Sequence, residues 1–81
     1  MQDVENLHSA WGERIRKERQ GRGWTAKQLG EKIGTSEATI SRIETGRCPS
    51  DSYKFRLAAA FGLRVDLLFA YPPIVPEPAA S

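Results

Sequence analysis

The two residue types that most often carry bond-making chemistry occur once each in these 81 residues, as His8 and Cys48. A general base needs a nucleophile and an orienting group within hydrogen-bond reach, and His8 stands near a helix start without either pattern. Cys48 has no second cysteine for a disulfide, a CxxC motif or a zinc cluster, so it reads as an unreactive loop residue. No catalytic residue, cofactor or metal ligand is expected. The chemistry that remains is recognition. Residues 34 to 46 read GTSEATISRIETG, in which Ser36 is placed to cap a helix and only Ile40 and Ile43 are clearly apolar. At about 100° per residue, Ile40 and Ile43 share one face. Ala38, Ser41, Arg42 and Thr45 take the other, with Glu37 and Thr39 beside them. A merely solvated face would carry lysines and glutamates. A helix that enters a groove about 12 Å wide needs short residues near its start and one long donor further on.

Charge supports the same direction. The formal net charge is only +2, yet all 12 basic residues lie between Arg14 and Arg64. That stretch holds five acids, Glu18, Glu31, Glu37, Glu44 and Asp51, and so a surplus of seven positive charges. Such asymmetry is what a domain meeting a phosphate backbone shows, although basic residues are also common solubilising groups on any helix surface. A chain this short makes one small domain and leaves no room for a two-domain enzyme. No run approaches the roughly 18 apolar residues of a membrane span. The opening MQDVENLHSA carries acids where a secretory signal carries lysine or arginine. The expected location is the cytoplasm, with no membrane partner. The segment GRGWTA, residues 21 to 26, fits a loose dinucleotide-binding pattern, but RIRKERQ before it is no buried strand.

Helical punctuation runs through the chain. Ser9 or Asp3 is placed to cap a first helix ending near Gln20, with Leu7, Trp11 and Ile15 stacked on one face. Thr25 and Gln28 form a capping-box pattern for a second helix that turns Leu29 and Ile33 inward and stops at Gly34. The third helix runs from the Ser36 cap to Gly46. Ser50 or Asp51 starts a fourth, on which Tyr53, Leu57 and Phe61 repeat, and Gly62 closes it. A short fifth, about Val65 to Ala70, supplies Leu67, Leu68 and Phe69. Trp11 and Trp24 read as core. Residues 1–8 form an N-terminal extension or the start of the first helix, 9–71 the domain, and 72–81 a Pro-rich tail expected to be disordered. Only about four residues, Gly34 among them, separate the second and third helices. So tight a turn sets them roughly perpendicular, and Gly30 lets the next helix cross closely.

The segments GERIRKER, LGEKIGTSEATISRIETG and LAAAFGLRVDLLF resemble, in register, the phage Cro/repressor type of helix-turn-helix, the XRE family. The match spans Trp11 to Phe69. The resemblance implies an all-α, compact five-helix, lambda-repressor-like DNA-binding domain with the helix-turn-helix formed by helices 2 and 3. It implies that Arg19 pairs with Glu44. Two departures stand out: Ala26 replaces a glutamine that often contacts phosphate, and Gly30 replaces the more usual alanine. Glu37, Ala38, Thr39, Ser41 and Arg42 are the expected base readers. Glu37 suits cytosine N4, Ala38 and Thr39 thymine methyls, and Arg42 guanine O6 and N7. Lys27, Gln28, Thr45, Arg47 and Lys54 are the expected phosphate contacts, with Arg22 a further candidate. The function implied is a transcriptional regulator, a repressor, bacterial or phage-encoded. It would act on double-stranded DNA as a homodimer at a near-palindromic site. Val65, Leu67, Phe69 and Tyr71 are candidates for the dimer contact or for the domain's own core. A second reading is an antitoxin-type or adaptor module whose C-terminal tail PPIVPEPAAS binds a partner protein.

Overall fold

Each helix boundary in the computed structural model, which describes residues 3–70, has a local chemical cause. The helices are α1 (Asp3–Gly21), α2 (Ala26–Ile33), α3 (Glu37–Glu44), α4 (Asp51–Phe61) and α5 (Val65–Leu68), with no strand among the described residues. Ser9 lies inside α1 and caps nothing, because the helix is already formed at Asp3. At α2, Thr25 Oγ1 accepts from the Gln28 N–H at 3.0 Å while Gln28 Oε1 accepts from the Thr25 N–H at 2.8 Å, a complete capping box. Ser36 caps α3 by accepting from the Thr39 N–H, and Ser50 caps α4 by accepting from the Tyr53 N–H. Each such cap contributes about 1 kcal/mol. The fifth helix ends at Leu68, two residues short of the expected end. Tyr71 and the tail 72–81 lie outside the described residues.

The five helices bury one cluster made of Ile15, Leu29, Ile33, Ile40, Ile43, Leu57, Ala58, Phe61 and Leu68. Every helix contributes to it, and full burial of each large aliphatic side chain is worth about 1.5–3 kcal/mol. Trp11 is buried, with its indole N–H donating to the Ala70 carbonyl at 2.9 Å and its ring edge-on to Phe69. Trp24 is only half-buried, stacked on Phe61 at the margin of the core.

The turn between α2 and α3 holds the motif in shape. Gly34 ends α2 at φ 79°, the left-handed conformation that side chains resist. Its neighbours are tied to α4: Tyr53 Oη hydrogen-bonds Thr35 Oγ1 at 3.1 Å and Arg56 donates to the Ile33 carbonyl at 3.1 Å. Gly30 is buried under the turn, where a Cβ would come within 2.8 Å of the Thr35 carbonyl oxygen. A tighter approach lies between α1 and α3. A Cβ on Gly12 would stand 2.5 Å from the Ile43 carbonyl oxygen and 2.6 Å from that of Glu44. No helix among the described residues is long and apolar enough to cross a membrane.

Candidate nucleic-acid interface

The third helix presents the ridge that its sequence periodicity marks. Ile40 and Ile43 are buried, Glu37, Ala38, Ser41, Arg42 and Thr45 are exposed, and Thr39 is half-buried. A groove runs along each flank of that ridge. On one side Thr39, Arg42, Arg47 and Cys48 line a groove of about 340 Å³ against Ser50 and Tyr53 of the loop and α4. On the other, Glu37, Ser41 and Thr45 face Arg16 of α1 and Ala26 at the start of α2 across a space of about 290 Å³. The exposed ridge thus stands between two shallow walls, each carrying a cationic side chain.

Arg19 locks α1 to the far end of α3. Its Nε donates to Glu44 Oε2 at 2.7 Å and its Nη2 to Oε1 at 3.0 Å, while Nη1 donates to the Trp24 carbonyl at 2.9 Å. All three directions of the guanidinium fork are therefore used. The two side chains retain 13% and 8% of their exposure, and the carboxylate of Glu44 pushes the Arg19 guanidinium further above its ordinary range. Arg14 and Arg22 both turn to Glu18, whose carboxyl the hydrogen bond from Arg22, and less strongly the one from Arg14, holds below the usual carboxylate range.

The expected phosphate contacts divide. Lys27 and Arg47 are exposed, with no acidic partner among the described residues. Gln28 is exposed too; its Oε1 belongs to the capping box, which leaves the amide N–H groups free to donate. Thr45 is differently placed. Its hydroxyl hydrogen is directed at the Ser41 and Arg42 carbonyls, at 2.9 and 3.1 Å, so the one donor that a phosphate would need closes the helix instead. Lys54 is turned away. Its ammonium lies 4.7 Å from the Trp11 ring centroid and 4.0 Å from Asp51 Oδ1, between α1 and α5. The reason is periodicity: Lys54 is three residues before Leu57 and seven before Phe61, on the inward stripe of α4. Arg22 is likewise committed, to Glu18, to the Phe61 carbonyl and to the face of the Phe61 ring.

Arg16 is the residue that the sequence reading passed over. Nothing in GERIRKER distinguishes it from its basic neighbours except its place three residues before Arg19, on the same side of α1. Once Arg19 is fixed to Glu44, that spacing turns Arg16 towards α3.

Residues 15–68 match a family model described as helix-turn-helix. That span runs from Ile15, the α1 residue of the core cluster, to Leu68, the last residue of α5, and includes both helices of the motif. No curated protein matches the chain.

Proposed function

The chain belongs to the Cro/repressor type of helix-turn-helix DNA-binding regulators, and from that premise we propose that it represses transcription by laying α3 in the major groove of a near-palindromic site as a homodimer. The observation that carries this reading is the α3 ridge itself: short side chains at Ala38 and Ser41, one long donor at Arg42, and a cation-bearing wall on each side. Arg42 is exposed and without an acidic partner among the described residues, so its guanidinium is free for guanine O6 and N7. Glu37 takes cytosine N4, and Ala38, Thr39 and Ser41 meet neighbouring base edges. Lys27, Gln28 and Arg47 grip phosphates, helped by the N-terminus of α2.

The test separates reading from gripping. Bound sites are selected from random DNA, and affinity is then measured for every single-base variant of the selected site with the parent, Arg42→Ala and Arg47→Ala. A bidentate guanine contact discriminates by roughly 1–3 kcal/mol, so Arg42→Ala flattens preference at one position of each half-site and leaves the others. Arg47→Ala weakens all sequences alike and makes the salt dependence shallower by about one unit of log-log slope. A uniform loss for Arg42→Ala removes the base-reading role from this residue, and a flat response of the parent to salt removes DNA binding.

A further inference from the structure

The outer face of α4 is apolar where a solvated helix would be charged. Phe55 is 62% exposed, the most open of the large apolar side chains among the described residues, and Ala59 is exposed one turn on. That stripe leads into an open groove of about 720 Å³ between α2 and α4, which Ala59 lines together with Trp24 and Ile33. Lys32 and Arg56 line it too, against one acid, Glu31, and neither cation is paired with an acid among the described residues. The Lys32 ammonium lies 4.4 Å from the Trp24 ring centroid. Arg56 has Nη1 on the Ile33 carbonyl and keeps Nε and Nη2 to donate. The groove shares no lining residue with the two grooves that flank the α3 ridge.

We propose that this face is the seat of the chain's own segment 71–77, YPPIVPE, which lies outside the described residues and is laid across α4 as an extended strap. Reach is the first support. Ala70 accepts the indole hydrogen bond of Trp11, and the Lys54 ammonium stands against the same ring, so the segment leaves the domain beside Lys54. At 100° per residue Phe55 lies about 100° around α4 from Lys54, Ala59 about 140° and Arg56 about 200°, and an arc of that size on a helix about 10–12 Å across measures roughly 20 Å. Seven residues in the polyproline II form span about 22 Å. The order along the segment then matches the order on the surface. Ile74 and Val75 fall at Phe55 and Ala59, and Glu77, the one acid in the sequence after Asp66, comes to Arg56 and Lys32. Composition is the second support. Pro72, Pro73 and Pro76 favour the extended form beforehand and bring no N–H to be stranded on an apolar surface, and such segments dock in grooves with an aromatic wall.

The measurement is thermal unfolding of the full chain in dilute solution for the parent, Phe55→Ser, Ile74→Ser with Val75→Ser, and the combination of all three. On an uncovered surface Phe55→Ser leaves the melting temperature almost unchanged. Under the strap it is expected to lower it by about 4–8 °C, the tail pair of changes lowers it by a similar amount, and the combination melts no lower than either alone. Glu77→Gln lowers it by less, and its difference from the parent closes as salt rises. Nuclear Overhauser contacts are expected between the Ile74 and Val75 methyls and the Phe55 ring, and isotope-filtered spectra of mixed labelled and unlabelled protein place them within one chain. Additive losses, an unchanged melting temperature in Phe55→Ser or in the tail variant, or contacts that arise only between chains overturn the strap, and the last of these makes the face a contact between two copies. The DNA-binding reading stands on α3 and survives each of these outcomes.

Discussion

Arg19 and Glu44 form a contact in which two long-range partners, 25 residues apart, meet in a fork-to-fork geometry with little water around them. Such a pair is weak evidence for net stabilisation, since bringing both charges out of water costs about as much as their attraction returns. Breaking it is another matter, because the surviving charge is then left shielded and uncompensated, at a cost of about 3–5 kcal/mol. Glu44→Ala is expected to lose on the order of 3 kcal/mol, a shift above about 10 °C for a domain of this size. Arg19→Ala loses more, because the Trp24 carbonyl loses its donor as well. Thermal unfolding by circular dichroism ranks the two, and an unchanged melting temperature for either shows a pair that carries no structural weight. At this scale the sequence was only partly legible. The outward set on α3 follows from a period of 3.6 residues and needs no tertiary information. What Lys54, Thr45 and Arg16 do depends on what stands beside them in space. Lys54 finds the Trp11 ring, Thr45 finds its own helix carbonyls, and Arg16 finds an empty groove. A lone lysine carries no mark of a ring 43 residues away, as Trp11 is from Lys54, and a threonine at a helix end does not say whether its hydroxyl turns outward or back to its own helix.

Among the elements, the chain punctuates its helices more plainly than it announces their crossings. Thr25, Ser36 and Ser50 cap, Gly34 and Gly62 stop, and each is readable because its chemistry is local. The α1–α3 crossing is not readable in that way. Gly12 sits in the middle of a 19-residue helix, where glycine costs about 1 kcal/mol relative to alanine, and no sequence rule says why it is there. The structure supplies the cause, since the C-terminal carbonyls of α3 lie where its Cβ would be. Gly12→Ala therefore sets a helix-propensity gain of about 1 kcal/mol against an overpacking cost of about 1–3 kcal/mol, paid in moving backbone rather than a flexible side chain. A net loss of stability is expected. Because the displaced atoms belong to Ile43 and Glu44, DNA affinity falls as well, even at temperatures where the variant is fully folded. A variant more stable than the parent shows that the two helices have room to part.

For the molecule as a whole, the reading proposed above requires two copies to share one site, and how they would touch is the question to test. A single recognition helix reads only a few base pairs, and specificity of the usual size needs two helices spaced by about one turn of DNA, roughly 34 Å. Of the residues first considered for the contact between copies, Leu68's neighbours divide sharply. Val65 and Phe69 are half-buried, Phe69 against the edge of Trp11, whereas Leu67 is 42% exposed. An apolar side chain left in water on a short terminal helix costs little to remove if nothing covers it, and a good deal if a second copy does. Leu67→Ser is accordingly expected to keep the parental melting temperature in dilute protein and the parental affinity for a duplex carrying one half-site. On the full site it loses the gain that the second half-site brings, and inserting about five base pairs between the half-sites, half a turn, abolishes that gain in the parent too. Equal binding of the full site by Leu67→Ser and the parent moves the contact away from α5. Phe55, 62% exposed on the outer face of α4, is then the next position to change, being the other large apolar side chain left open among the described residues.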